Sequence, residues 1–170
     1  MNMKRFFVVL AVICMIGSSL SHAQEMKKGM SLFNAGLGFL PGIGINASFD
    51  HGLVDSWGPG IFTVGGYVGF GTWGKAYPTK SYHSDYRVNA FAFAPRATYR
   101  YAIDRSFEVY GAAMFGAVVY SYSRHYSHGS DVFLGIIAGC RYTFSQNVSV
   151  FGEIGFNNVS HLSGGLSFAF

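Results

Sequence analysis

Residues 90–101 read Ala90-Phe91-Ala92-Phe93-Ala94-Pro95-Arg96-Ala97-Thr98-Tyr99-Arg100-Tyr101. Sorted by parity, Phe91, Phe93, Tyr99 and Tyr101 fall on one face, and Ala90, Ala92, Ala94, Arg96, Thr98 and Arg100 on the other. Period two is the strand period, since successive side chains point to opposite faces. The distribution of the charges carries the argument. In a soluble strand the charged face is the outer one, and the large apolar residues form the core. Here the charges sit among alanines and a threonine, residues small enough for the crowded inside of a narrow barrel. The aromatic face then points outward, which suits a surface against lipid.

The same alternation extends in both directions. Toward the N-terminus, Phe33, Ala35, Leu37 and Phe39 alternate with Asn34, Gly36 and Gly38. Ile43, Ile45, Ala47 and Phe49 alternate with Gly44, Asn46, Ser48 and Asp50, and Phe62, Val64, Val68 and Phe70 with Thr63, Gly65, Tyr67 and Gly69. Toward the C-terminus, Phe107, Val109, Ala113, Phe115, Ala117 and Val119 oppose Glu108, Tyr110, Ala112, Met114 and Gly116. Val132, Leu134, Ile136, Ala138, Cys140, Tyr142 and Phe144 oppose Gly135, Gly139, Arg141 and Thr143. Two further segments pair Val148, Val150, Ile154 and Phe156 with Ser149, Glu153 and Asn157, and Leu162, Leu166, Phe168 and Phe170 with Ser163, Gly165, Ser167 and Ala169. Turn chemistry separates them at Pro41-Gly42, Asp50-His51-Gly52 through Gly58-Pro59-Gly60, Ile103-Asp104-Arg105 and Gln146-Asn147. Longer connections are expected at Lys75–Asp85 and Ser123–Ser130. The pattern predicts eight strands, mostly of about 8–15 residues.

Composition narrows the class. Of 170 residues, 50% are hydrophobic, 18% aromatic and only 12% charged, against about 25% charged in an ordinary soluble domain. The longest apolar run, Phe6–Ile16, has eleven residues, short of the ~18 a spanning helix needs. A disordered chain, a soluble helical enzyme and a helical membrane protein all fit poorly. A tilted strand crosses a bilayer in about 9–11 residues, and every backbone polar group in lipid must be paired, so the sheet must close. The expected fold is all-β: an eight-stranded antiparallel up-and-down transmembrane β-barrel. The interfacial girdle of such a barrel is expected from Tyr86, Tyr99, Tyr101, Tyr120, Tyr122, Tyr142 and Phe144 near the strand ends.

Lys4 and Arg5, the apolar stretch behind them, and Ser21-His22-Ala23 have the layout of a secretory signal peptide over residues 1–23, leaving 24–170 as a single barrel domain. Cys14 suggests lipidation, but Ile13 stands where a small residue is required. Cys140 is then the one cysteine outside the signal, so no disulfide framework exists. Loss of Lys4 and Arg5 lowers the formal net charge of +4 by two. The remaining basic residues never form a patch, which argues against nucleic acid as a partner.

Three C-terminal stretches, Gly139-Cys140-Arg141-Tyr142-Thr143-Phe144-Ser145-Gln146-Asn147, Val150-Phe151-Gly152-Glu153-Ile154-Gly155-Phe156 and Gly165-Leu166-Ser167-Phe168-Ala169-Phe170, resemble the small bacterial outer-membrane β-barrel families of OmpA/OmpX type. Phe170, with Phe168, Leu166 and Leu162 behind it at even spacing, resembles the signal read by the barrel-insertion machinery. The resemblance implies an outer-membrane protein with a periplasmic C-terminus, short periplasmic turns, longer surface loops, and membrane lipid and that machinery as partners. The pattern departs at Leu40–Gly42, very short for a surface loop, and at Asp50–Gly60, long for a periplasmic turn.

Arg96, Arg100, Glu108, Arg141 and Glu153 share the lumen-facing parity. Unpaired charges in a narrow interior are expensive, so an ion-pair network is expected, with Glu108 and Glu153 accepting from the arginines. Such a network serves either as a selectivity ring or as a polar filling that fixes register. An eight-stranded barrel is just filled by its side chains, which favours the filling. His83, His125, His128 and His161 map to the loop end, where solvated histidines are the default reading and a metal site the alternative. Some barrels of this size are lipid A deacylases with a His-x-Ser pair; His125-Tyr126-Ser127 and His161-Leu162-Ser163 have that spacing but lack the following Asn of that family. The resulting expectation is a monomeric outer-membrane barrel with a structural or surface-interaction role, a lumen filled by polar side chains, no cofactor and no catalysis. A small porin-like pore and a lipid A acyl-hydrolase are the alternatives, and the sequence names no extracellular ligand.

Overall fold

The computed structural model describes the backbone of residues 26–79, 82–122 and 128–170, and the side chains of 26–74, 87–122 and 129–170. The expected signal peptide and its cleavage after Ala23 lie outside the described residues. Eight strands follow one another: β1 Ser31–Phe39, β2 Ile43–Val54, β3 Ile61–Thr79, β4 Tyr82–Ala102, β5 Phe107–Tyr122, β6 His128–Thr143, β7 Val148–Phe156 and β8 Leu162–Ala169. Each pairs antiparallel with the next, and β8 closes on β1 through the Leu32↔Ala169 to Phe39↔Leu162 ladder, giving a closed barrel. The lower end of this barrel carries the start of β1, the end of β8 and the 55–60, 103–106 and 144–147 connections; the upper end carries the others.

Parity sorts the side chains as the composition requires. In β4, Phe91, Phe93, Tyr99 and Tyr101 are 38–49% exposed, while Ala90, Ala92, Ala94, Arg96, Thr98 and Arg100 are at most 5% exposed. Around the outside, Leu37, Ile45, Val68, Phe115, Leu134, Ile136, Ile154 and Leu166 continue one apolar belt. A soluble protein rarely exposes a contiguous apolar patch beyond a few hundred Å². A belt that encircles the barrel is the surface of a protein solvated by lipid.

The strands are longer and less equal than the sequence pattern suggests. β3 and β4 have 19 and 21 residues, and the expected loop at Lys75–Asp85 is a continuation of both strands up to the Thr79↔Tyr82 pair. Likewise β6 begins at His128, inside the expected Ser123–Ser130 connection. Polar and aromatic residues in those stretches hide the alternation, but an antiparallel ladder extends as far as both partners stay extended. At the lower end, Asp50-His51-Gly52 belongs to β2 and not to a turn, so the connection shrinks to 55–60. The Leu40–Gly42 connection is as short as the sequence indicates.

The girdle also needs correction. Tyr99, Tyr101 and Phe144 lie on the outer face, as expected. Tyr120 does not: it is half-buried and packs inward, edge-on to Trp73 at 6.5 Å. It shares the parity of Glu108, Tyr110 and Met114 in β5, which fixes its direction. Tyr86 falls outside the described side chains.

Candidate functional site

Among the described residues, charge is concentrated in the lumen. Arg96, Arg100, Glu108, Arg141 and Glu153 are all at most 5% exposed. They join through a sixth residue, Asp50, into an alternating chain. Arg141 Nη2 donates to Glu108 Oε2 at 2.7 Å, Arg100 Nη1 to Glu108 Oε1 at 2.6 Å and Arg100 Nη2 to Asp50 Oδ2 at 2.5 Å. Arg96 Nε lies 3.5 Å from Asp50 Oδ1, and Arg96 Nη2 donates to Glu153 Oε1 at 2.7 Å. The order Arg141, Glu108, Arg100, Asp50, Arg96, Glu153 places every charge between opposites or at a chain end. Three cations thus balance three anions, and the group as a whole is neutral.

Neutral groups add to the satisfaction that buried charges require. Tyr110 donates its hydroxyl to Glu153 Oε1 at 3.0 Å, and its ring lies 4.5 Å from the Arg100 guanidinium carbon. Thr98 donates to Asp50 Oδ1 at 3.3 Å, Asn34 donates to Ser48 Oγ at 2.9 Å, and Ser163 donates to Glu153 Oε2 at 3.4 Å. Tyr110 fits only because its neighbour on β6 is Gly139; a β-carbon there would overlap the ring.

The polar filling does not run the length of the barrel. Above the ion chain, Tyr67, Met114, Val118, Phe133, Ile137 and Val159 form an apolar cluster against Ala90, Ala92 and Ala94. The expectation of a lumen filled by polar side chains is therefore corrected. The alanines leave space that larger apolar residues from β3, β5 and β6 occupy. In β6 both parities are apolar, as in Val132-Phe133-Leu134 and Ile136-Ile137-Ala138, so the parity shared with Arg141 carries Phe133 and Ile137 into the lumen as apolar filling.

Asp50 is the site residue that sequence reasoning missed. Its parity with Asn46 and Ser48 pointed inward, but its place beside His51-Gly52 read as turn chemistry. The remaining singled-out residues disperse. Leu162, Leu166, Phe168 and Phe170 line the outer face of β8 and the residue after it. His161 is exposed with its ring edge-on to Phe156 at 5.2 Å, whereas Ser163 is buried in the lumen. The His161-Leu162-Ser163 spacing thus brings no imidazole to the hydroxyl, which is held by Glu153. His125, Tyr126 and Ser127, and the side chains of His83 and His128, lie outside the described residues. Among the described residues no group of three His, Cys, Asp or Glu side chains is placed to hold a metal.

Comparisons with protein-family models and with curated proteins give no match. Solved structures do match. A de novo designed transmembrane β-barrel is 15% identical, with a TM-score of 0.55 over 86% of this chain and all of that one. The N-terminal β-barrel domain of Pseudomonas aeruginosa OprF is 18% identical, TM-score 0.52, over 85% of this chain and 100% of the domain. Ail, the attachment invasion locus protein of Yersinia pestis, solved with the heparin analogue sucrose octasulfate, is 13% identical, TM-score 0.50, over 85% of this chain and 100% of Ail. At these identities the likeness is one of fold: a closed eight-stranded, all-antiparallel β-barrel, the fold of these transmembrane barrels.

Proposed function

We propose that this chain is an integral barrel of the bacterial outer membrane with a structural or surface-interaction role, no turnover and a closed lumen. The observation that carries this reading is the filling. The six-residue charge chain and the apolar cluster above it occupy successive levels of the lumen. In the proposed orientation the lower end is periplasmic, residues 1–23 are the export signal, and the outward row ending in Phe170 serves insertion.

The upper end supports a surface role. β3 continues past Thr72, the last residue paired with β2, and β6 begins eight residues before Ile136, the first residue paired with β7. Among the described residues those two stretches have no ladder partner on their outer side. Such open edges are templates for an added strand, so an extended segment of a surface partner is the kind of ligand they fit. The runner-up reading is a small pore, favoured by a cavity at the lower end that reaches Arg100 and Glu108.

One pair of measurements separates the readings. Purified protein in a planar bilayer is expected to be electrically silent, and a β3–β4 hairpin shortened by deleting residues 76–85 is expected to keep the barrel while lowering cell attachment to host surfaces. Discrete conductance that changes when Arg96 or Glu153 is neutralised would establish the pore instead.

A further inference from the structure

The apolar belt is not of one height all round. On β5 every outward position from Phe107 to Val119 is apolar or glycine, and Ser121 ends the row. At a rise of about 3.3 Å per residue and a strand tilt of about 40°, that row stands about 30 Å tall. It matches the ~30 Å hydrocarbon core of a typical bilayer. Across the barrel the strands are shorter: β7 has nine residues, β8 eight and β1 nine. Their outward rows, 148–156, 162–170 and 33–39, stand about 20, 20 and 15 Å tall at the same rise and tilt.

The short rows run to the rim with no polar margin. Phe156 is 68% exposed, Phe39 42%, and Leu40, in the connection itself, 61%. On the tall side polar outward residues stand above the row, Asn89 on β4 and Ser121 on β5. The strands that flank the short wall add a second constraint. Among the described residues, β3 has no β2 partner beyond Ile43↔Thr72, and β6 has no β7 partner before Ile136↔Phe156. Unpaired backbone groups do not lie in hydrocarbon. Beside β7, β8, β1 and β2 the hydrocarbon therefore ends no higher than those two rungs. Val132 and Leu134, exposed above the second rung, lie on the step where it climbs to the tall wall.

A band that is tall on one side and short on the other is a wedge. Tilting the whole barrel moves both rims together, so no tilt fits a wedge to a slab of even thickness. Lipid meets a short apolar wall by thinning beside it. We propose that the β7–β8–β1 wall gathers a thinned patch of membrane, in which the upper boundary of the hydrocarbon dips by about 10 Å from its level at β5. The lipids that fit this surface have short or disordered acyl chains. Their headgroups, with the water among them, reach the open backbone of β3 and β6. The patch depends on the integral barrel proposed above and not on which end is periplasmic.

The test places one nitroxide label at a time on Cys140→Ser protein, purified from membranes and returned to dioleoylphosphatidylcholine vesicles. Labels at Phe39→Cys, Phe115→Cys and Ser121→Cys are compared by their collisions with oxygen, which concentrates in hydrocarbon, and with a nickel chelate, which stays in water. The Phe115 label is expected to meet oxygen and little nickel, and the Ser121 label the reverse. The Phe39 label is expected to match the one at Ser121. Ile43→Cys makes the same comparison should Phe39→Cys not fold. The gel shift between boiled and unboiled samples reports the barrel separately. A folded barrel whose Phe39 label is as protected from nickel as the one at Phe115 would overturn the thinned patch and leave the integral barrel standing. Nickel access at Phe115 as well as at Phe39 would remove both.

Discussion

Asp50 links the two halves of the ion chain, accepting from Arg100 on one side and lying against Arg96 on the other. Removing one partner of a buried pair leaves an uncompensated charge, at a cost of about 3–5 kcal/mol. Asp50→Ala takes one partner from each of two guanidinium groups, leaving Arg100 with Glu108 and Arg96 with Glu153, so it is expected to fall at the upper part of that range. Glu153→Gln takes away one carboxylate while Arg96 keeps Asp50, and is expected to cost clearly less. Urea unfolding followed by the fluorescence of Trp57 and Trp73 gives both values, and equal losses for the two variants would show that the chain does not act as a connected unit. Much of this group was legible by parity, since Arg96, Arg100, Glu108, Arg141 and Glu153 each stand among small residues. Asp50 was not, because Asp-His-Gly is turn chemistry in isolation and becomes strand only through its ladder with β1 and β3.

Among the elements, β6 divides most sharply between what sequence shows and what packing decides. Its residues 132–138 are apolar on both parities apart from Gly135, so the alternation that identifies β4 is blurred there. The structure keeps the sorting that parity with Arg141 gives, with Leu134 and Ile136 on the outer face, and shows that Phe133 and Ile137 fill the lumen. The assignment is testable with one charge. Ile136→Arg places a guanidinium on the outer face near the middle of β6, where lipid exposure costs about 2–4 kcal/mol. Cys140→Ser, on the same face toward the lower end, is expected to change stability little. Folding into bilayer vesicles, measured by the gel shift between boiled and unboiled samples, compares them; an Ile136→Arg barrel as stable as its parent would remove lipid from that face. The unequal strand lengths were hidden for a different reason. Lys75–Asp85 carries Pro, Lys and His, residues that read as loop, and only the register of β3 on β4 extends the ladder to Thr79↔Tyr82.

At the scale of the whole molecule, low charge, abundant aromatics and the lack of a spanning helix have one physical cause. The apolar half of each strand is pooled into a single outer belt, and the charges are gathered within and at the ends. Closure of β8 on β1 leaves no edge along the Leu32–Phe39 ladder, which is the condition for a sheet in hydrocarbon. The decisive property is which face of the wall meets lipid. The most direct measurement is the set of nuclear Overhauser contacts between acyl-chain methylene protons and the unmodified residues 90–101 in lipid nanodiscs. The account predicts contacts to the rings of Phe91, Phe93 and Tyr99, and none to the methyls of Ala90, Ala92 and Ala94, which pack with Met114 and Val118 inside. Lipid contacts at the three alanines, or water contacts along the Phe91 and Phe93 face, would contradict it.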